Sequence, residues 1–316
     1  MLRYSLSRLG QFVVMLFLAS VATFLVIQHA PGNPARVQLG LNATPAQVAV
    51  ETRVLGLNSS LPQRYVIWLS QAVHLNFGRS FSTGLPVTHM ISEAFGYSFR
   101  LALSATVLAV LISVPLGILA ALRRGKKADI AISAFAASGL SLPSFALGTL
   151  LILLLAVHLR LLPAAGGGLP GQWNVSAFKF VIMPALTLAI PFAAVLIRFI
   201  RVALSEAMAQ DYIVTARAKG LRPWTVVTRH GMRNALIPTI TVAGVEAGRL
   251  LAGAVITETV FSYPGLGYLT IQSIQGLDYP VVEAALILGA GIFLVLTCLI
   301  DLSYGLIDPR VRLAAR

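Results

Sequence analysis

LALSATVLAVLISVPLGILAAL, residues 101–122, runs without one charged side chain. It matches the ~20 apolar residues that a helix needs to cross hydrocarbon. A backbone in lipid has no water to pair with, so such a run satisfies its amides internally as a helix. Working outward, charge-free runs also occupy residues 9–27, 130–157 and 180–197, and less pure ones occupy 235–261 and 284–300. The chain is 57% hydrophobic and only 11% charged, whereas roughly a quarter of residues in a soluble domain are charged. These patterns predict an all-helical, polytopic membrane protein of about six spans.

The formal charge of +13 raises nucleic acid as a partner, and its distribution argues against that. With a cytoplasmic amino terminus, Arg3, Arg8, Arg123, Arg124, Lys126, Lys127, Arg198, Arg201, Arg217, Lys219, Arg222, Arg229, Arg233, Arg310, Arg312 and Arg316 all fall inside. That is the positive-inside bias, and an even number of spans puts both termini in the cytoplasm. Anionic lipid headgroups and partner subunits suffice to meet this charge. The basic start and first apolar run read as a retained anchor rather than a cleaved signal. The lone Cys298 allows no intrachain disulfide.

Between the first two spans, residues 30–99 are polar enough for an external subdomain. Thr44 before Pro45 predicts a helix start over 44–54, with the threonine as cap and proline at the first helical position. A second helix is expected over 62–73, with Tyr65, Trp68 and Leu69 on one face. Those aromatics, with Phe77 and Phe81, suit interfacial anchoring or a small core. Residues 158–179 and 263–283 make the other external connections. Prolines 115, 143, 184, 191 and 238 lie in or near spans, where each removes a backbone hydrogen bond and favours a kink. Kinked helices suit a pathway-forming bundle, and no internal repeat of the kind found in many secondary transporters is evident.

The most informative stretch is DYIVTARAKGLRPWTVVTRHGMRNALIP, residues 211–238. Asp211 is a candidate cap for a short helix, Arg217 and Lys219 place positive charge at its carboxyl end, and Gly220 is the expected stop. Pro223 then starts a second helical stretch that re-enters the bilayer at Ala235. Small Ala216 and Ala218 on the surface of the first helix would let a partner approach closely, and the basic neighbours would steer it.

Here the sequence resembles the inner-membrane permeases of ABC importers for dipeptides, oligopeptides, glutathione and nickel chelates. TARAKG (215–220) is similar to that family's cytoplasmic EAA loop. PGNPA (31–35), LGLNSSLPQRY (55–65), NFGRSF (76–81), FSYPGLG (261–267), DYPVV (278–282) and DPRVR (308–312) resemble further family segments in order, and together point to the first, B-type permease. Val214 and Thr215 stand where the general pattern carries an acidic residue, and Asn33 where aspartate is common. The resemblance implies one permease domain over 1–316 with a type I importer fold, an external subdomain at 30–99 and a cytoplasmic coupling region at 204–234. It makes Asp211, Tyr212, Thr215, Ala216, Arg217, Ala218, Lys219 and Gly220 the ATPase-coupling segment. The implied partners are a second homologous permease, two ATPase subunits carrying ATP and magnesium, and an external substrate-binding protein, in the bacterial inner membrane.

Two further groups follow from the residues themselves. Glu246 and Arg249 lie roughly 16 to 21 Å along their span from Ala235, near mid-bilayer, where charges usually pair or face a cavity. Gly244 and Gly248 beside them permit close helix approach, at a subunit interface or along the pathway. Tyr263, Pro264, Gly265, Gly267 and Tyr268 form a turn expected to contact the binding protein. No G-x-x-x-x-G-K-[ST] loop, H-E-x-x-H, C-x-x-C or G-x-S-x-G is present, so neither ATP hydrolysis nor intramembrane proteolysis is assigned to this chain, and no metal or cofactor is expected on it. Peptide is the expected substrate, ahead of glutathione-like peptides and nickel chelates. A proton-coupled secondary transporter and a membrane scaffold are the readings from other classes.

Overall fold

The computed structural model describes residues 2–29, 32–40, 42–169 and 175–307. In chain order the helices are α1 (Leu2–Gln28), α2 (Pro34–Leu39), α3 (Pro45–Val54), α4 (Leu61–Val73), α5 (Val87–Leu122), α6 (Lys127–Ser141), α7 (Ser144–Leu151), α8 (Val175–Met208), α9 (Asp211–Ala218), α10 (Pro223–Thr225), α11 (Met232–Val260), α12 (Leu266–Gln275) and α13 (Tyr279–Ile307). π-helical turns extend α7 over Ile152–His158 and link α10 to α11 over Val226–Gly231. The expected all-helical polytopic class is what is observed. Helices α1, α5 and α8 are each long and apolar enough to cross a membrane, two bent pairs bring the candidate spans to 5, and α13 contributes the shorter apolar helix Tyr279–Val295. The DPRVR tail lies outside the described residues.

The run over 130–157 is not one straight span. It bends by 106° between α6 and α7. Pro143 is the cause: the residue before a proline is driven out of the helical region, and Leu142 is extended at φ −83, ψ 125. Prolines 115, 184, 191 and 238 lie inside helices, and the second bend, of 50°, falls in α11 between Leu250 and Ala254, well beyond Pro238.

The described chain forms two compact units. In the unit built on residues 99–263, α8 is the most buried span. Its Ala194 and Ile197 pack with Ala120 of α5 and with Ile132 and Ala136 of α6. Small residues set these approaches, for a Cβ on Gly117 would come within 2.7 Å of Ile200. A forked ion pair ties α6 to α8: Arg201 Nε donates to Asp129 Oδ1 at 2.5 Å and Nη2 to Oδ2 at 2.8 Å, while the Gly125 amide donates to Oδ2 at 2.9 Å. A buried carboxylate is tolerable only with such a complete donor set.

The other unit combines residues 2–98 and 264–298. Val13, Phe17 and Leu18 of α1 are exposed, which suits a lipid-facing surface. Thr44 caps α3 in a capping box with Gln47, with Pro45 in the first turn, as its sequence predicts. Tyr65 and Trp68 of α4 pack on Phe24 of α1, with ring centroids 5.3 and 5.9 Å away, so these aromatics build a small core. The loop after α4 is pinned by Asp278, whose carboxylate accepts from Ser80 Oγ at 2.5 Å, Ser82 Oγ at 2.6 Å and the Phe81 amide at 3.0 Å. The NFGRSF and DYPVV segments therefore meet in space.

Candidate functional site

Helix α9 stands between α8 and the π-turn that leads into α11. Asp211 occupies its first helical position, and Gln210 is the cap residue without a side-chain cap bond. The expected capping role of Asp211 is thus corrected by one position; at this place its charge still complements the helix amino terminus. The carboxyl end follows the expectation. Lys219 closes the helix and Gly220 adopts φ +75, the left-handed conformation that favours glycine after a helix.

One face of α9 is fixed to its own unit. Ile213 and Ala216 are buried against Val226, with Met208 packed beside them. Ala216 is therefore not on the surface, which corrects its expected role as a contact point; its small size lets α9 lie close to the π-turn. The Asn234 side-chain amide donates to the Tyr212 hydroxyl at 2.7 Å. The rest of the helix is open: Asp211, Thr215, Arg217, Ala218, Lys219 and Gly220 are exposed, Val214 is 63% accessible, and Trp224 of the following α10 is 64% accessible. Arg222, Arg229 and Arg233 add exposed positive charge nearby. An apolar centre ringed by cations, on a short helix braced from behind, can receive an apolar groove with an acidic rim.

Glu246 and Arg249 do form an ion pair, Arg249 Nη1 to Glu246 Oε1 at 2.9 Å, with Arg249 73% and Glu246 15% accessible. The open arginine leaves this helix face available to a second chain or to water. Gly244 is half-buried and Gly248 buried, yet a Cβ on Gly248 would meet nothing within 4 Å.

The turn over 263–268 is largely internal. Tyr263 is buried and its hydroxyl accepts from Arg100 Nε at 3.0 Å, while Arg100 Nη2 donates to the Gly167 carbonyl at 2.6 Å. Gly265 and Gly267 are buried, and Pro264 and Tyr268 are half-buried. Tyr263, Gly265 and Gly267 therefore do not present the exposed surface expected of them, whereas Pro264 and Tyr268 remain partly open. The exposed part of the connection is Ile274–Leu277, where Leu277 takes φ +56. Arg100, Asp129 and Asp278 were not singled out by the sequence reading. Their partners lie 163, 72 and up to 198 positions away, and the available signal was a charge at the edge of an apolar run.

Residues 113–313 match the family described as binding-protein-dependent transport system inner membrane component, and residues 1–118 match the family's membrane-component N-terminal region. The chain is 37% identical to the probable peptide ABC transporter permease protein y4tP of Sinorhizobium fredii (strain NBRC 101917 / NGR234), over 98% of this chain and 99% of that one. It is 36% identical to the glutathione transport system permease protein GsiC of Escherichia coli (strain K12), over 99% of both. An inward-facing structure of the MetNI methionine ABC transporter shares the fold, with a TM-score of 0.57 at 18% identity, over 69% of this chain and 96% of that one.

Proposed function

The chain belongs to the family of binding-protein-dependent transport system inner membrane components, and from that membership we propose that it forms half of the pathway of an ATP-driven importer for short peptides. The observation that carries the coupling part of this reading is α9: a short helix braced by Ile213 and Ala216 and ended by Gly220 at φ +75, with its Val214 and the Trp224 of α10 exposed among basic residues. A nucleotide-hydrolysing partner seated there would bias the bundle between inward- and outward-facing packings. Only a partner that binds the two packings differently can do so. ATP and magnesium belong to that partner.

Full-length similarity to a peptide and to a glutathione permease supports a peptide-like substrate, delivered by an external binding protein that touches exposed Ile274–Leu277. A second permease packed on the open face at Arg249 would complete the pathway. The termini lie in the cytoplasm on this reading.

The test is the nucleotide dependence of uptake. With the partner ATPases present but their phosphate-loop lysines replaced, uptake of a labelled dipeptide should fall to background. Uptake that persists and follows an imposed proton gradient would instead establish a secondary transporter.

A further inference from the structure

One cavity in the unit containing residues 2–98 and 264–298 is not used by the coupling account. Its volume is ≈ 900 Å³, and Phe24, Arg64, Trp68, Phe81, Tyr279 and Glu283 are among the residues lining it. That size falls in the range of small-molecule sites.

Of the three charged residues that line it, Arg79 donates to the Gly84 carbonyl at 2.9 Å; the other two, Arg64 from α4 and Glu283 from α13, are of opposite sign and come from different elements. They influence each other electrostatically, yet among the described residues they do not close into an ion pair; the pairs formed are His89–Glu93, Arg201–Asp129 and Arg249–Glu246. Each half-buried charge is left facing a space rather than its complement. A carboxylate on an apolar helix without a direct counter-ion is costly.

The walls supply aromatic surface. Phe24 and Trp68 pack with centroids 5.9 Å apart, and Phe81 and Tyr279 meet edge-on at 6.4 Å. The buried Trp68 indole N–H lies near Glu283 without closing a hydrogen bond of ordinary geometry. Aromatic faces attract an ammonium group and cover apolar stems. On the rim, a Cβ on Gly32 would come within 2.8 Å of the Tyr279 hydroxyl, so a side chain there would crowd that wall.

We propose that this cavity binds a small zwitterion, with a primary ammonium group at Glu283, an anionic group at Arg64, and its apolar part against Phe24, Trp68, Phe81 and Tyr279. A short peptide with free termini and the headgroup of phosphatidylethanolamine both carry this chemistry. The site shares no residue with the coupling surface, and its occupancy does not require nucleotide.

The experiment uses the chain assembled with its partner subunits in nanodiscs, without ATP and without binding protein. L-alanyl-L-alanine is titrated calorimetrically in phosphatidylcholine discs and again in phosphatidylethanolamine discs, and lipid retained on purification is identified by mass spectrometry. Occupation by peptide predicts binding in phosphatidylcholine that weakens at least about tenfold when either terminus is blocked by acetylation or amidation, as expected for a lost charge-assisted hydrogen bond. Glu283→Gln should reproduce the effect of acetylation, and Arg64→Gln that of amidation. Occupation by lipid predicts phosphatidylethanolamine retained by the unaltered chain and lost from both variants, with no dipeptide heat in phosphatidylethanolamine discs. The blocked dipeptides probe the unaltered chain, so the peptide arm stands even if a variant fails to fold. Neither ligand binding, or binding unchanged by terminal blocking and by both substitutions, overturns the proposal. Such a failure would leave nucleotide-driven uptake untouched.

Discussion

Asp278, like Asp129, accepts four hydrogen bonds. It is buried and accepts hydrogen bonds from Ser80, Phe81 and Ser82. Replacing it with alanine leaves the buried Ser80 hydroxyl and the partly buried donors of Phe81 and Ser82 unpaired. The expected loss is about 3 kcal/mol, because each orphaned donor keeps its desolvation penalty. Asp278→Ala should therefore lower the thermal unfolding midpoint of the purified protein by several degrees, whereas Ser82→Ala, which removes one donor at a site with others, should lower it less. An unchanged midpoint in Asp278→Ala would mean that the loop over 76–86 is held by something else. Little of this was legible in advance. The NFGRSF and DYPVV strings were visible, but the bond joining them spans up to 198 positions, and no local periodicity reports a contact at that range. Asp129 escaped notice for the same reason, its partner Arg201 lying 72 positions on.

Among the elements, those decided by local chemistry were the readable ones. Thr44, Pro45 and Gln47 specify the start of α3 within four positions, and Gly220 specifies the end of α9. Where tertiary packing decides, the reading went astray: Ala216 turns inward because Ile213 three positions earlier shares its face, and Tyr263, Gly265 and Gly267 are buried. The bend between α6 and α7 follows from Pro143, although its size, 106°, depends on what the two segments pack against. Gly220 permits a sharp prediction about α9. A Cβ there would meet nothing within 4 Å, so Gly220→Val strains only the backbone, by about 1–2 kcal/mol. It should unwind the end of α9 and reduce peptide uptake severalfold at unchanged membrane abundance. Gly220→Asn, which tolerates this conformation better, should retain more. Uptake by Gly220→Val equal to that of the unaltered chain would show that the helix end has no part in coupling.

At the scale of the whole molecule, composition and apolar runs foretold an all-helical membrane chain, and family membership over nearly its full length makes it a transport component. The central claim is that the open face of α9 seats the ATPase. A photo-crosslinking residue placed at Val214 or Trp224, both largely exposed, tests it in the assembled complex. One at Val13, exposed on α1, serves as the control. The account predicts a covalent product with the ATPase subunit from positions 214 and 224 and none from position 13. No ATPase product from either α9-side position, or equal product from all three, would contradict it.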